Sequence, residues 1–220
     1  MKITFFDLET TDKSAVNGEI ITAHFTTIKD FDYERSIDSL DIKLKPHTWK
    51  EEAAKIHGIT REEAFDFPER LQGLRAVYSY LKRHVDGYFC CHANAHIFGR
   101  HGHFDWLSIA NNMAQISDKA YFAFNNEFGQ AKVISTHTMA KKLISLNSYK
   151  LTELAKNFNY QYKAHDAKED VWAMIHVFRE LTQKMNQSDW QNLYDLGHYS
   201  GTLNWDRCRV DQNFLPLEGL

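Results

Sequence analysis

Proline and glycine are scarce, 3 Pro and 10 Gly in 220 residues, which is about half the usual share. That leaves no room for a collagen-like repeat, a low-complexity region or a flexible tether between two domains. Cysteine is scarcer still. Cys90, Cys91 and Cys208 are odd in number and two of them are adjacent, which makes no disulfide framework, and no C-x-x-C pair exists to hold zinc. A reducing, cytoplasmic compartment is the expectation. No run of about 18 apolar residues occurs, and the opening MKITFFDLETTD reaches an acid after six residues, too soon for the apolar stretch of a signal peptide. The chain is therefore expected to be neither membrane-spanning nor secreted by that route. A net charge of −3 and a pI near 6.4 rule out a polycation, so any nucleic-acid partner must be held locally. There is no G-x-x-x-x-G-K and no evident Ser-His-Asp arrangement, so NTP hydrolysis and acyl transfer find no support.

What is present describes a folded protein. Hydrophobic residues make up 43% and charged residues 25%, close to the globular average and far from a disordered composition. The length suits one full-sized domain with an appended tail: a domain over residues 1–185 and a tail or small appendage over 186–220. Aromatics are generous, 15 Phe, 10 Tyr and 5 Trp, and serve either as core bulk or as stacking surfaces for bases. Runs at Ile3–Leu8, Ile20–Ile28 and Leu40–Leu44 read as three successive strands. Thr48-x-x-Glu51 and Thr60-x-x-Glu63 are capping-box patterns, and Gly58 is placed to stop a short helix. Beyond Pro68 the pattern changes to helix alternating with strand: a helix through Leu71, Leu74, Tyr78 and Leu81, then short strands at Tyr88–Cys91 and Lys132–Ser135. Helices are expected at Asp105–Ala114, Thr136–Leu143 and Leu151–Phe158, with the strongest pattern at Asp166–Met185. Strands first, then alternation, imply an α/β fold with a mixed sheet flanked by helices.

Three groups of residues could carry chemistry. Asp7 and Glu9 sit two apart on the first strand and so share a face, while Leu8 points to the opposite, buried one. Like charges held that way repel, so one is protonated or a cation sits between them, and carboxylate oxygens suit Mg²⁺ or Mn²⁺. With 29 acids in the chain, acid-x-acid pairs also arise by chance as solvated strand ends, and the pair alone decides nothing. His165 and Asp170 put a histidine on the loop before the last helix and a carboxylate in its first turns, with Asp166 as cap and Glu169 as capping partner. His103-Phe104-Asp105 places an acid at the start of a helix, where a plain N-cap would look the same.

Order sharpens these readings. An Asp-x-Glu on the first strand, a Phe-Asp near mid-chain and a His-x4-Asp opening the last helix resemble the signature of the DEDDh (DnaQ-like) 3′→5′ exonucleases of the RNase H-like superfamily. The likeness runs over residues 2–183. Ile56-His57-Gly58-Ile59-Thr60 is similar to that family's I-H-G-I-T turn, and Ser148-Tyr149-Lys150-Leu151 to the segment before its third motif. The resemblance implies an RNase H-like mixed sheet flanked by helices and a metal-dependent exonuclease that releases 5′-mononucleotides from DNA 3′ ends, single strands first. It implies two Mg²⁺ or Mn²⁺ ions, with Asp7 bridging both, Glu9 and Asp170 on the first and Asp105 on the second, and His165 as general base. Thr10, Thr11, His57 and Ile59 are the implied substrate contacts. DNA is favoured over RNA, and a polymerase or repair protein is the implied protein partner.

One departure stands out. The family's second motif reads H-N-A-x-F-D, with Asn four before Asp, whereas here Asn94 lies eleven before Asp105. This reads as a seven-residue insertion forming a solvent-facing loop that borders the cleft. His92, His96, His101 and His103 invite a zinc reading, but Gly99 and Gly102 break any shared helix face and no acid or Cys completes the set before Asp105. From residue 132 to 168 seven lysines face two acids, a stretch that tracks a phosphate backbone or is simply a solvated helical face. The competing functions are an exoribonuclease on short RNA and a non-catalytic nuclease-like module that binds nucleic acid or a polymerase. Retention of four acids and the histidine speaks against the latter.

Overall fold

The structure, a computed structural model, describes residues 1–92, 94–97 and 100–198, with backbone alone for 94–97 and 100–102. Tyr199, Trp205 and Cys208 lie outside the described residues. Three strands open the chain, β1 (Lys2–Thr10), β2 (Ile20–Lys29) and β3 (Ser36–Lys43), followed by helices α1 (Glu51–His57), α2 (Arg61–Phe65) and α3 (Arg70–Arg83). Next come β4 (Tyr88–Cys91), β5 (Asn94–Ile97), β6 (Arg100–His103), α4 (Phe104–Ile116), α5 (Asp118–Phe128) and β7 (Lys132–Ser135). The remainder is helical: α6 (Thr136–Leu143), α7 (Leu151–Asn157), α8 (Ala167–Thr182), α9 (Gln187–Gln191) and α10 (Leu193–Gly197). The main sheet runs β3-β2-β1-β4-β7, with β1 antiparallel to β2, β2 antiparallel to β3, and β1, β4 and β7 mutually parallel. This is the expected mixed sheet.

Strand β1 is central, and its period of two divides the core. Phe6 and Leu8 pack with α3 and α4 on one face, while Ile3 and Phe5 pack with α7 and α8 on the other. The aromatics are mostly core bulk. Trp106 is enclosed by Phe6, Phe89, Phe124 and Phe128 at ring-centroid distances of 6.0, 5.0, 5.6 and 6.2 Å, a packing whose truncation to Ala costs about 3–5 kcal/mol. Buried Phe124 and Phe128 hold α5 to the same cluster. The sequence reading left that segment unassigned, although Ser117 caps it by accepting from the Ala120 N–H at 3.0 Å. Residues 187–197 dock as well: Leu193 and Leu196 join the core beneath α8, and a Cβ on Gly197 would meet the Ile134 Cβ at 2.6 Å.

Local signals behave unevenly. Gly58 ends α1 at φ 73°, Thr60 accepts from the Glu63 N–H, and Asp166 caps α8. Thr48 does not cap α1, whose N-cap is Lys50 with no side-chain bond. The helix starts two residues too late for it, at Glu51, and its hydroxyl donates to Glu19 at 2.8 Å. Glu19 also receives the His47 and Thr48 N–H groups at 2.8 and 2.6 Å and faces Arg70 Nε at 3.8 Å, with its own side chain fully buried. Thr11 joins this network through the Glu19 N–H, which donates to its hydroxyl at 3.0 Å. The insertion is a β-hairpin: β5 and β6 pair antiparallel, with Asn94 opposite His103. Its two ends therefore emerge side by side.

Burial would raise the Glu19 pKa, but the Arg70 charge and the bonds from Thr48 and His47 outweigh it and hold the group below its ordinary 4.5. A depressed carboxylate contributes stability above its unfolded pKa and loses it as pH falls through the folded one. Glu19→Gln should therefore destabilise the protein at pH 7 by about 3–5 kcal/mol, the usual cost of breaking a buried pair. The gap to wild type should narrow once wild-type Glu19 is itself protonated. Urea melts at neutral and acid pH check this, and a pH-independent gap would overturn the assignment.

Candidate active site

Four carboxylates converge at the C-terminal end of β1. Asp7 and Glu9 lie on the face packed by α8, Asp105 is in the first turn of α4, and Asp170 is in the first turn of α8. Asp7 feels Asp105, Asp170, Glu9 and Asp166 together, and burial first and these charges second hold its carboxyl far above the usual range. Glu9 is pushed up to about 8 by burial, then by Asp170 and Asp105. Burial likewise lifts Asp105 to about 7, with Asp170 adding to it. Asp170 is raised by burial against the opposing pull of Tyr162 and the His165 N–H. One carboxylate oxygen, Asp105 Oδ2, is buried with no hydrogen-bond partner. Desolvated, mutually repelling acids with an orphaned acceptor are what a divalent cation relieves.

His165 stands at the rim, exposed, with φ at 64°, a left-handed conformation that a non-glycine residue holds only under external constraint. The constraint is visible: its N–H donates to Asp170 Oδ2 at 2.8 Å, and the next residue, Asp166, is fixed as the cap of α8. Ligand atoms of Glu9, His165 and Asp170 lie within 4.8 Å of one another. Among the described residues no other three such ligand atoms lie as close together, and Asp7 and Asp105 are not among them. Tyr162 faces Asp170, and burial with that charge pushes its phenol above its usual value.

Two clefts flank Glu9 and share His57. The larger, about 470 Å³, runs over the open face of β2 and β3 past Ile59, Lys43, Lys163 and Lys168. The smaller, about 230 Å³, is walled by Thr10, Lys13, Ile56 and Phe104. His57 Nδ1 accepts the Ile59 N–H at 3.1 Å, which puts the ring proton on Nε2, and that atom is buried without a partner. Of the substrate contacts expected from sequence, Thr10, His57 and Ile59 line these clefts, whereas Thr11 is turned inward to Glu19. Of the seven lysines between 132 and 168, two reach the larger cleft. Lys142 donates to the Asp195 carbonyl, and Lys132 and Lys141 lie over the rings of Tyr88 and Tyr149. Lys43 escaped the sequence reading, though its register opposite Thr22 on the Glu9 face follows once the strand pairing is known.

The comparisons with known proteins agree with the fold. The model of the exonuclease family RNase_T matches residues 4–178. E. coli exonuclease I in complex with a dT13 oligonucleotide is similar at TM-score 0.66 and 17% identity, over 87% of this chain and 43% of that one. The zinc-bound form of the E. coli exonuclease I–ssDNA complex gives 0.64 and 18%, over 88% and 42%, and the exonuclease I/SSB-Ct complex 0.66 and 17%, over 88% and 42%. The chain thus spans less than half the length of these proteins, and at such identity the likeness is one of fold. No curated protein sequence matches significantly. A mixed five-stranded sheet with four acids gathered at the end of its central strand, within a family match spanning most of its length, makes this chain a member of the RNase_T exonuclease family.

Proposed function

We propose that the chain is a two-metal 3′→5′ exonuclease that hydrolyses the terminal phosphodiester bond of DNA, single-stranded or frayed, and releases 5′-mononucleotides, with residues 1–185 as the catalytic domain. The observation that carries this is the shared desolvated site of Asp7, Glu9, Asp105 and Asp170, whose repulsion cations relieve. Asp7, Glu9, Asp105 and Asp170 would hold the ions. All-oxygen donors suit Mg²⁺ or Mn²⁺. Bound there, such ions supply a nucleophile at neutral pH and neutralise charge on the leaving oxygen.

The chain's own groups do the rest. His165, anchored through its backbone to Asp170 but free at its ring, takes the proton from the attacking water. The unpartnered His57 Nε2–H between the two clefts donates to the terminal nucleotide. The smaller cleft takes the terminal nucleoside, with Phe104 as an apolar wall. The larger takes the phosphates of the remaining strand beside Lys43, Lys163 and Lys168. DNA as substrate is supported by the fold's likeness to an exonuclease I bound to dT13, and a protein partner by the likeness to the SSB-Ct complex.

Cleavage of 3′- and 5′-labelled DNA and RNA oligomers with Mg²⁺, Mn²⁺ or EDTA tests polarity, sugar and metal together. Loss of mononucleotides from the 3′ end of DNA, silent in EDTA, is expected, and products released from the 5′ end would overturn the polarity. His165→Ala should lower kcat by about 10²–10⁴-fold with a weaker effect on binding, and an unchanged acidic limb in its pH–rate profile would remove it as the base.

The metal leaves a thermodynamic trace. Mn²⁺ should raise the melting temperature of the wild type, by about 2.7 kcal/mol of added stability at a hundred times its Kd. Asp7→Ala should abolish that rise and, by relieving repulsion, melt about 2–4 °C higher than wild type without metal for each kcal/mol gained. Wild-type cleavage by Asp7→Ala in Mg²⁺ would sink the two-metal reading. Removing Lys163 and Lys168 together should weaken strand binding and flatten its salt dependence by about 0.7 in log–log slope per lost contact; an unchanged slope would take the strand out of the larger cleft.

A further inference from the structure

The hydroxyl oxygen of Tyr162 is buried, and the polar group it addresses is the Asp170 carboxylate, within hydrogen-bonding influence of it though short of full hydrogen-bond geometry. Its ring is held by packing. It belongs to the apolar layer under α8 and lies 6.1 Å, centroid to centroid, from Tyr160, which stacks on His176 at 4.7 Å. Phenylalanine would meet that packing without sealing away a hydroxyl, and a sealed, unsatisfied donor is costly. Tyr162 lines neither cleft, so the hydroxyl is out of reach of a strand lying in them. The charged groups facing it are Asp170 and, more weakly, Asp7. Asp170 Oδ2 already accepts the His165 N–H at 2.8 Å, and a carboxylate has lone pairs for several donors.

We propose that Tyr162 is a positioning residue of the metal centre: its hydroxyl donates to Asp170, and with the His165 N–H it fixes the rotation of the acid toward Glu9 and Asp7. The hydroxyl thus acts through Asp170, and the same carboxylate anchors His165, so metal affinity and placement of the base share one support. This rests on the site reading given above, in which Asp170 is a metal ligand.

The test is Tyr162→Phe, which keeps the ring. Mn²⁺ binding followed by calorimetry should weaken about 10–100-fold, as losses of groups that orient a metal ligand do. kcat should fall with it, KM for a labelled oligomer should stay at the wild-type value, and the metal-free protein should melt no lower than the wild type does. Unchanged Mn²⁺ affinity overturns the proposal, whether the variant is otherwise normal, melts early through lost packing, or shows a raised KM that puts the hydroxyl on the substrate. Asp7→Asn, run alongside, separates the two levels. If it keeps wild-type Mn²⁺ affinity, the metal reading itself fails, whatever Tyr162→Phe does.

Discussion

Mutual repulsion among four carboxylates at one end of β1 is the constraint around which this molecule is built. Such groups drift apart unless the backbone beneath each is held elsewhere, and every one of them adjoins a residue locked in the core. Asp7 lies between Phe6 and Leu8, Asp105 precedes Trp106, and Asp170 precedes Val171, all of them buried. The apolar layers on the two faces of the sheet set the spacing of the acids, and stability drawn from packing holds charges where electrostatics alone would not leave them.

Glu19 shows the opposite treatment of a buried acid. It is as thoroughly removed from water as the site carboxylates, yet Arg70, His47 and Thr48 satisfy it and its charge is retained. That pairing ties the end of β1, through Thr11, to the segment leading into α1, and α1 carries Ile56 and His57 of the cleft walls. The chain thus holds one carboxylate that a cation and N–H donors satisfy, fixing a wall, and four that crowd one another within it. The difference lies in partners, not in burial.

Much of this was legible in the residues, and what was not has physical reasons. Strands β1 and β2 and helix α8 follow from periodicity because burial imposes it, and the caps at Gly58, Thr60 and Asp166 are local. Thr48 misled because Glu19, 29 positions away, holds its N–H and hydroxyl and the helix begins only at Glu51, a long-range tie no local pattern records. Helix α5 was missed although Tyr121, Phe124 and Phe128 keep helical spacing; the signal was there and unused. At the site, spacing was uninformative and the order of the acids was decisive. Tyr162 and Lys43 could not be read at all, since their relation to Asp170 and Glu9 exists only after the sheet has formed and α8 has packed on it.

The hairpin β5–β6 makes the distance between motifs along the chain independent of their distance in space. Because Asn94 pairs with His103, the excursion returns to its starting point whatever its length, provided residues are added or removed two at a time so that the pairing register is kept. Lengthening or shortening the hairpin in this way leaves its two ends adjacent, and a search template that counts a fixed number of residues between Asn and Asp would overlook chains of this design.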